Sequence, residues 1–400
     1  MKINTSPQKI KEILTRGVEE IIEKESLIKK LKSGKPLRIK FGVDPTAPEL
    51  HLGNAVILWK LKEFQELGHT IIFIIGDFTA QIGDPTDKLT ARKTLTEKEI
   101  KANMKTYKEQ VGEILDLNKT KIIYNNRHLS KMKLAEIYRI SQFFTVNQIL
   151  ERDMFQERRR AEKPIWLHEF MYPIFQAYDS VVVKADIEIG GNDQLFNMMA
   201  GRQLQPHFNQ PPQDVITIKL LVGTDGKRKM SKSFGNYIGI QELANEQYGK
   251  IMSIPDESII DYFELCAHLS LMEVEKIKKE LKSKNFNPRD AKAKLAYEIV
   301  ALYHGKPAAQ KAEKEFNRIF KEKELPSEMP SIKITDKNIN ILDLLVKTKL
   351  ASSKAEAKRL IEQKGVKIDD EIQEDWRKNI LIKSVMIIQV GKRKFVKINQ

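Results

Sequence analysis

The sequence predicts an α/β protein built on a parallel sheet, followed by a helical region and a small α+β module. Strand and helix patterns alternate with short connections over the first 80 residues. Residues 240–320 carry helical patterns without strand signals, and residues 341–400 combine two short helices with a β-hairpin around Gly391. Alternating strands and helices are typical of nucleotide-binding α/β folds, because crossover helices join their parallel strands.

Hydrophobic periodicity predicts the elements of the first region. Residues 8–33 place apolar side chains at helical spacing, which predicts a single amphipathic helix. The segment LRIKFGVD (37–44) alternates as a strand, and residues 51–69 predict a helix that ends near Gly68. TIIFIIGD (70–77) is apolar on both faces, which is typical of a strand inside a parallel sheet. Further strands are predicted at residues 120–126 and 214–223.

Changes in pattern also predict the domain boundaries. We expect a catalytic domain over 1–238, with a connective insertion near 125–165. A helical domain would follow over 239–322. The polar, proline-containing segment EKELPSEMPS predicts a linker over 323–337, and residues 338–400 would form a separate module.

Composition restricts the classes of protein that fit. The chain has 400 residues and a formal net charge of +15, which suits a polyanionic partner, nucleic acid first. Lysine spread over exposed helix surfaces would give the same charge. Residues 341–400 hold 14 Lys and Arg against 8 Asp and Glu, a net +6. With Cys266 as the one cysteine, no intrachain disulfide and no cysteine-based zinc site can form.

The apolar runs are too short for a membrane span. The longest, such as Ile71–Ile75, fall far below the roughly 20 residues that a transmembrane helix needs. The first residues show no signal-peptide pattern either. We therefore expect a cytoplasmic protein that does not bind membranes.

The first candidate motif is GVDPTAPELHLGN (42–54), which lies between a predicted strand and a predicted helix. Ligands of open parallel sheets bind beyond the carboxyl ends of the strands. Gly53 follows His51 by two residues, so a phosphate or a flat base could approach the start of the helix. Taken alone, His51 is as readily a structural histidine.

The second candidate motif is DGKRKMSKSFGN (225–236). Lys229 and Lys232 lie three residues apart, and Ser231 and Ser233 can direct hydroxyl groups toward a phosphate. Such lysines suit a polyphosphate leaving group, because negative charge builds there in the transition state. Taken alone, such a stretch is usually a solvated basic loop.

Three further stretches carry polar groups near predicted strand ends or on one helix face. In YPIFQAYDS, the spacings of four and three place Tyr172, Gln176 and Asp179 on one face of a helix. That face predicts either a polar pocket or an ordinary solvated surface. The other two stretches are GDFTAQIGDPTDK (76–88), with Asp84, and IGGNDQLFN (189–197), with Asp193 and Gln194.

Together these motifs resemble the class I aminoacyl-tRNA synthetases. That family has an H-x-G-[HN] signature after its first strand and K-M-S-K-S after its last, and both bind ATP. Its pattern ends in a second histidine where this chain has Asn54, which can donate a hydrogen bond but cannot be cationic.

The closer resemblance is to tyrosyl-tRNA synthetases of a second bacterial type. D-P-T-A, G-D-P, Tyr-x3-Gln-x2-Asp and G-G-x-D-Q occur here in that family's order. The tail segment ASSKAEAKRLIEQKGVKI resembles an S4-like RNA-binding domain. The resemblance implies a Rossmann-like catalytic domain, a helical domain and a small α+β RNA-binding domain.

The resemblance also implies residue roles. The tyrosine ammonium would be held by Asp84, Tyr172 and Gln176, the phenol by Asp179, and the carboxylate by Gln194. ATP would contact Asp44, Thr46, Gly53, Gly191, Asp193 and Lys232. The transition state would be stabilised by His51, Asn54, Lys229 and Lys232, with Lys88 and Arg92 at the pyrophosphate. No protein metal site is expected, since Mg²⁺ would arrive with ATP.

One position departs from the family in the phenol pocket. The better-known tyrosyl enzymes have a phenol-binding tyrosine two residues before the glycine that corresponds to Gly42, where this chain has Lys40. The lysine could pair with Asp179, or it could donate to the phenol oxygen and so bind tyrosine. It could also point to solvent.

The resemblance implies that the chain is a tyrosine–tRNA ligase whose partners are L-tyrosine, ATP and tRNA(Tyr). The family is homodimeric, and the insertion near 125–165 would supply the interface. Three other possibilities stay open at this point: another adenylate-forming nucleotidyltransferase of the same fold, a tryptophanyl enzyme, and an RNA-binding relative without catalysis.

Overall fold

The computed structural model describes residues 3–86, 95–283, 286–320, 329–383, 385–391 and 394–399. The chain divides into two units, Met1–Ala309 and Gln310–Gln400. The finer boundaries at residues 238 and 322 stay predictions. No described helix is long and apolar enough to cross a membrane.

A six-stranded sheet forms the centre of the first unit. Its strands follow the spatial order β1-β6-β5-β2-β3-β4. The pairs that join β6, β5, β2, β3 and β4 are parallel, whereas β1 lies antiparallel to β6 at the edge. The strands are β1 (Val18–Ile22), β2 (Arg38–Val43), β3 (Thr70–Ile75), β4 (Thr120–Tyr124), β5 (Ile187–Gly191) and β6 (Asp214–Ile218).

The central strands are apolar on both faces because helices cover the sheet. Every residue of β5 and β6 is buried, as are five of the six residues of β3. The helices up to the end of β6 are α1 (Pro7–Ile13), α2 (Lys24–Lys32), α3 (Leu52–Glu66), α4 (Thr79–Ile82), α5 (Glu97–Met104), α6 (Tyr107–Gly112), α7 (Asn126–Leu129), α8 (Leu134–Ser141), α9 (Val146–Leu150), α10 (Asp153–Arg160), α11 (Met171–Val183) and α12 (Leu195–Leu204).

The prediction of one helix over residues 8–33 is wrong. The chain forms α1, reverses near Gly17, which has φ of +61°, and continues as β1 before α2. Ile21 and Ile22 sit opposite Ile216 and Val215 in the sheet. Helical spacing alone could not reveal this antiparallel edge strand, because pairing with β6 is a contact distant in sequence.

The other predictions for the first region hold with small shifts in their bounds. The predicted strands correspond to β2, β3, β4 and β6, and the predicted helix over 51–69 corresponds to α3. Strand β5 was not predicted. The region after β6 is helical, as expected: α13 (Ala244–Met252), α14 (Ile259–Cys266), α15 (Leu271–Lys282), α16 (Pro288–His304) and α17 (Lys306–Phe320).

The tail contains the predicted pair of helices and the predicted hairpin. Helices α18 (Ile341–Lys347) and α19 (Lys354–Glu362) pack over a sheet in which β12 and β13 pair antiparallel, and Gly391 follows directly after β12. Its core is formed by residues of this segment alone, including Leu345, Ile361 and Ile388. The strands are β7 (Ser331–Lys333), β8 (Asn338–Asn340), β9 (Val366–Ile368), β10 (Glu371–Ile372), β11 (Asn379–Leu381), β12 (Val385–Val390) and β13 (Lys394–Asn399).

A buried ion pair joins the two middle strands of the large sheet. Lys40 of β2 and Glu188 of β5 are direct neighbours in the parallel register. Lys40 Nζ lies 2.8 Å from Glu188 Oε1, and the two side chains are 1% and 2% exposed. Lys40 Nζ also donates to Ser180 Oγ (2.6 Å) and to the carbonyl oxygen of Gln176 (2.9 Å). Three acceptors thus satisfy the three N–H groups of the ammonium.

We expect Lys40→Met to lower the free energy of unfolding by about 3–5 kcal/mol, because it leaves the Glu188 carboxylate buried without its cation. The double variant Lys40→Met/Glu188→Gln removes the unpaired charge and should be more stable than Lys40→Met alone. Urea unfolding monitored by circular dichroism measures both effects. Lys121→Met, at an exposed position of β4, is the control and should change stability by less than about 0.5 kcal/mol. Equal losses in the single and double variants would contradict an electrostatic origin.

Candidate active site

A cavity opens at the carboxyl edge of the large sheet. Residues at or just beyond the ends of β2, β3, β4, β5 and β6 line it, together with the first turn of α3 and one face of α11. This is the place where parallel α/β sheets bind ligands. Of the residues predicted from sequence, the following line the cavity: Lys40, Asp44, Thr46, His51, Gly53, Asn54, Asp84, Tyr172, Gln176, Asp179, Gly191, Asp193, Gln194 and Lys229.

Two of the predicted residues cannot be placed, and one lies beside the cavity. Lys88 and Arg92 fall outside the described residues. Lys232 does not line the cavity, but it contacts Glu49, in the loop that leads into His51.

The first turn of α3 leaves room for a ligand to come close to the backbone. The backbone N–H of His51 donates to Asn54 Oδ1 at 3.1 Å, so the Asn54 side chain closes the first turn of the helix. A Cβ atom at Gly53 would lie 3.1 Å from the His51 ring, a contact too tight for most side chains. Gly53 therefore keeps the space beside the His51 ring open. The contact with His51 uses only the Asn54 oxygen. The amide N–H groups of Asn54, which lines the cavity, can therefore donate hydrogen bonds to a ligand.

Burial keeps His51 neutral near pH 7. Desolvation, followed by the charge of Lys232, lowers the pKa of His51 to about 4. Its Nδ1 atom is buried and has no hydrogen-bond partner among the described residues. A neutral imidazole can donate or accept one hydrogen bond at the cavity, but it contributes no positive charge.

The two lysine-motif residues are held by the loops around the cavity. Lys229 Nζ lies 2.5 Å from Asp193 Oδ2, and Lys232 Nζ donates to the carbonyl oxygen of Glu49 at 2.5 Å. Burial lowers the pKa of Lys232. The backbone N–H of Leu52 donates to the carbonyl oxygen of Ile238 at 2.9 Å, which fastens the start of α3 to the chain just after the lysine motif. The fold thus brings together two motifs that are distant in sequence.

The predicted polar face of α11 does face the cavity. Tyr172, Gln176 and Asp179 all line it, whereas the intervening Ile174 and Ala177 pack in a hydrophobic cluster. The alternative of an ordinary solvated face is wrong, because Tyr172 and Asp179 are buried.

Hydrogen bonds fix the three polar side chains of α11 to three different neighbours. Tyr172 OH donates to Asp44 Oδ2 at 3.0 Å. Gln176 Nε2 donates to Glu188 Oε1 at 3.3 Å, and Asn125 Nδ2 donates to Asp179 Oδ2 at 3.1 Å. The helix face is therefore held against the ends of several strands.

Asp84 and Gln194 meet on another wall of the cavity. Gln194 Nε2 donates to Asp84 Oδ2 at 2.7 Å, while Asp84 Oδ1 accepts from the backbone N–H (3.1 Å) and the hydroxyl (2.6 Å) of Thr86. Arg152 reaches the same group, with Nη2 at 2.9 Å from Thr86 Oγ1 and 3.6 Å from Asp84 Oδ1. These contacts place a buried carboxylate and an amide side by side in the cavity wall.

Lys40 takes none of the three places considered from sequence. It is buried, so the solvent alternative is wrong, and its described contacts are with Glu188, Ser180 and Gln176 rather than with Asp179. Its three N–H groups are already used, so the prediction that Lys40 donates to a phenol does not fit this geometry. The physical reason is register: Glu188 is the direct neighbour of Lys40 on the adjacent strand.

Sequence reasoning missed Asn125, His128, Arg152 and Glu188. Asn125 and His128 follow directly after β4 at the carboxyl edge, a position signal that could have been used. Lys40 and Glu188 are each a charged residue within an apolar segment. Their opposite charges are a sequence signal that the two could form an ion pair. Nothing in the local pattern around Arg152 indicates its contact with Asp84.

Family models cover almost the whole chain. The model for class I tRNA synthetases (W and Y) matches residues 32–321. A second model, the SYY-like C-terminal domain of tyrosine–tRNA ligases, matches residues 321–398. The match begins before β2 and continues to the last described strand.

Individual proteins agree with these models. The tyrosine–tRNA ligase of Thermotoga maritima is 47% identical over 394 residues, 98% of each chain. The tyrosine–tRNA ligase of Aquifex aeolicus is 44% identical over 98% of this chain and 99% of its own length. Among solved structures, the tyrosyl-tRNA synthetase of Archaeoglobus fulgidus in complex with L-tyrosine superposes with a TM-score of 0.62 at 25% identity, over 76% of this chain and 99% of that one.

A truncated mitochondrial tyrosyl-tRNA synthetase from Aspergillus nidulans superposes with a TM-score of 0.63 at 23% identity, over 78% of this chain and 97% of that one. This likeness supports the class I fold expected from the sequence. With the family matches and the long, highly identical relatives, it leads to one conclusion: the chain belongs to the tyrosine–tRNA ligase family of class I tRNA synthetases.

Proposed function

We propose that the protein activates L-tyrosine with ATP and transfers the tyrosyl group to tRNA(Tyr). The observation that carries the proposal is the cavity at the carboxyl edge of the sheet. It is lined both by the polar face of α11 and by the His51 and Lys229 motifs. An amino-acid subsite and a phosphate subsite therefore share one cavity, as adenylate formation requires.

The tyrosine would bind with its ammonium near Asp84, Tyr172 and Gln176. Asp84 is a buried carboxylate that accepts hydrogen bonds from Thr86 and Gln194 and lies 3.6 Å from Arg152, and its charge would attract the substrate ammonium. The neighbouring Gln194 would contact the substrate carboxylate through its amide, and Asp179 would accept the phenol hydrogen bond. The Lys40–Glu188 pair holds Gln176 in this subsite. Lys40 donates to its backbone carbonyl oxygen, and Glu188 accepts from its side-chain amide.

ATP would bind at the opposite end of the cavity, with Mg²⁺ accompanying its phosphates as part of the substrate. Asp193 would bind the ribose, with Gly191 beside it. The phosphates would lie along Asp44, Thr46 and the start of α3. Three features there are available to the phosphates: the Asn54 amide, the open space at Gly53, and the Nδ1 atom of His51, for which no described residue is a hydrogen-bond partner.

The reaction has two steps. A tyrosine carboxylate oxygen attacks the α-phosphorus of ATP, and the bond from that phosphorus to the bridging oxygen breaks as pyrophosphate leaves. A terminal ribose hydroxyl of tRNA then attacks the carbonyl carbon of tyrosyl-adenylate, loses its proton and expels AMP. Neither step needs a covalent enzyme intermediate, so positioning and electrostatic stabilisation supply the catalysis.

The lysines would supply the positive charge that His51 lacks. With the pKa of His51 at about 4, the imidazole contributes hydrogen bonding only. Lys229 and Lys232 lie on the loop between β6 and α13 and would stabilise the charge that develops on the pyrophosphate. In this structure Lys229 is bound to Asp193 and Lys232 to Glu49, so both would exchange these contacts for phosphate oxygens.

The tail unit would contact tRNA. Residues 341–400 carry a net +6, and basic modules bind nucleic acid through its phosphates. Two cations contact the Trp376 ring, with Lys358 Nζ 4.5 Å and Arg377 Cζ 4.6 Å from its centroid. Because tRNA and ATP are cytoplasmic substrates, this proposal also supports the predicted cytoplasmic location.

The chain would act as a homodimer through the insertion between β4 and α11. Among the described residues, five exposed large hydrophobic side chains fall between residues 134 and 167: Leu134, Tyr138, Val146, Trp166 and Leu167. Leu134 and Leu167 are 82% and 81% exposed. Apolar groups exposed to this degree within one segment are typical of an interaction surface.

The function is tested by exchange of labelled pyrophosphate into ATP. We expect exchange with tyrosine and none with tryptophan, and the reverse would refute the proposal. Lys232→Ala should lower the exchange rate constant by about 100-fold or more, with the Kd for tyrosine unchanged, because the lysine acts in the transition state. Lys227→Ala, at an exposed position of the same loop, is the control and should behave as the wild type. A parallel loss of tyrosine affinity in Lys232→Ala would contradict the role.

Removal of residues 321–400 should spare tyrosine-dependent pyrophosphate exchange but reduce tRNA charging by about 100-fold or more. The described hydrophobic cluster of the tail contains only residues between 332 and 398, so the deletion removes no residue from the described clusters around the large sheet. The electrostatic contribution to tRNA affinity is lost with the tail. Filter-binding and aminoacylation assays on both proteins measure the effect. Unchanged charging by the folded, shortened protein would show that the tail is not the tRNA module.

The double variant Leu134→Glu/Leu167→Glu should convert the dimer into a monomer, because it would place buried charges in the interface. Light scattering coupled to gel filtration gives the mass directly. Leu243→Glu is a matched control, since Leu243 is 77% exposed but lies outside the insertion. It should leave the mass unchanged. If both variants remain dimers, this surface is not the dimer interface.

A further inference from the structure

His128 contacts the carboxylate proposed for phenol recognition. It lies in α7, directly after β4, and its Nε2 atom is 2.6 Å from Asp179 Oδ1. Asn125 Nδ2 donates to the second oxygen, Asp179 Oδ2, at 3.1 Å. The His128 and Asp179 side chains are 16% and 5% exposed. One short helical segment therefore holds both oxygens of a buried carboxylate.

The direction of these bonds follows from the atoms involved. An ionised carboxylate can only accept hydrogen bonds, so at 2.6 Å the proton between the two groups belongs on His128 Nε2. The Asn125 amide nitrogen can likewise only donate, so Asp179 is the acceptor in both contacts.

Acceptor capacity remains for a substrate. A carboxylate offers about four lone-pair sites, and the contacts with His128 and Asn125 occupy two of them. Asp179 lines the cavity, whereas His128 is not among the described residues that line it. His128 thus contacts Asp179 from outside the cavity and leaves its inner side to the ligand.

We propose that His128 is a positioning residue for recognition of the tyrosine hydroxyl, which it achieves by fixing and orienting Asp179. This inference rests on the proposed use of tyrosine as substrate. A site that hydrogen-bonds a substrate hydroxyl rejects the analogue without it, and tyrosyl enzymes are themselves a standard illustration of this principle. Phenylalanine makes no use of Asp179, so loss of His128 weakens the binding of tyrosine but not that of phenylalanine.

The experiment compares the two amino acids on the full-length protein. The Kd of tyrosine is measured by equilibrium binding, and phenylalanine is measured through its inhibition constant in tyrosine-dependent pyrophosphate exchange. We expect His128→Ala to raise the Kd of tyrosine about 10-fold or more, as for loss of a hydrogen bond to a charged group. The inhibition constant of phenylalanine should change by less than about threefold.

Two further variants separate positioning from a general effect on folding. In His128→Gln the amide nitrogen can reach about as far as Nε2, so we expect it to regain part of the tyrosine affinity; the shorter side chain of His128→Asn should behave like alanine. Arg127→Ala is the control, because Arg127 is exposed on the same helical turn and should bind as the wild type. Equal weakening of tyrosine and phenylalanine, or no change in their ratio, would overturn the role of His128.

The outcomes also separate this inference from the function on which it rests. A wild-type protein that shows no exchange with tyrosine refutes the proposed function and this inference together. A wild type that exchanges with tyrosine, combined with an unchanged ratio in His128→Ala, refutes the inference alone.

Discussion

The ion pair between Lys40 and Glu188 is the interaction on which the site depends most. It joins the neighbouring strands β2 and β5. Asp44 follows directly after β2, and Asp193 and Gln194 lie in the turn after β5. A buried ion pair is a weak source of net stability, because desolvation offsets most of the attraction. Its value here is geometric, since the pair also binds the backbone and the side chain of Gln176 and the hydroxyl of Ser180.

The charged groups differ between the two ends of the cavity. At one end, Asp84 and Asp179 are buried carboxylates that accept several hydrogen bonds. At the other end, His51 is neutral and Asn54 is uncharged, and the nearby cations are Lys229 and Lys232. Under the proposed function, helices and strand ends would bind the amino acid, and a loop would meet the phosphates where charge develops.

The sequence was most informative where the chemistry is local. Motif spacing located the start of α3, the lysine loop and the polar face of α11, because these features depend on a few neighbouring residues. It failed for β1, β5 and the partner of Lys40, since strand pairing is a long-range property that no local pattern contains. It also missed Asn125 and His128, whose role depends on β4 ending beside α11.

A continuous chain of hydrogen bonds links the two ends of the cavity. Asn125 Nδ2 contacts both Asp179 and Thr79 Oγ1, and the Thr79 hydroxyl donates to Asp44, which also binds Tyr172. A designer who replaces Asp179 would therefore release Asn125, then Thr79, and finally Asp44. Under the proposed function, a change in amino-acid choice would then also change the wall of the ATP subsite, so a redesign has to treat both ends together.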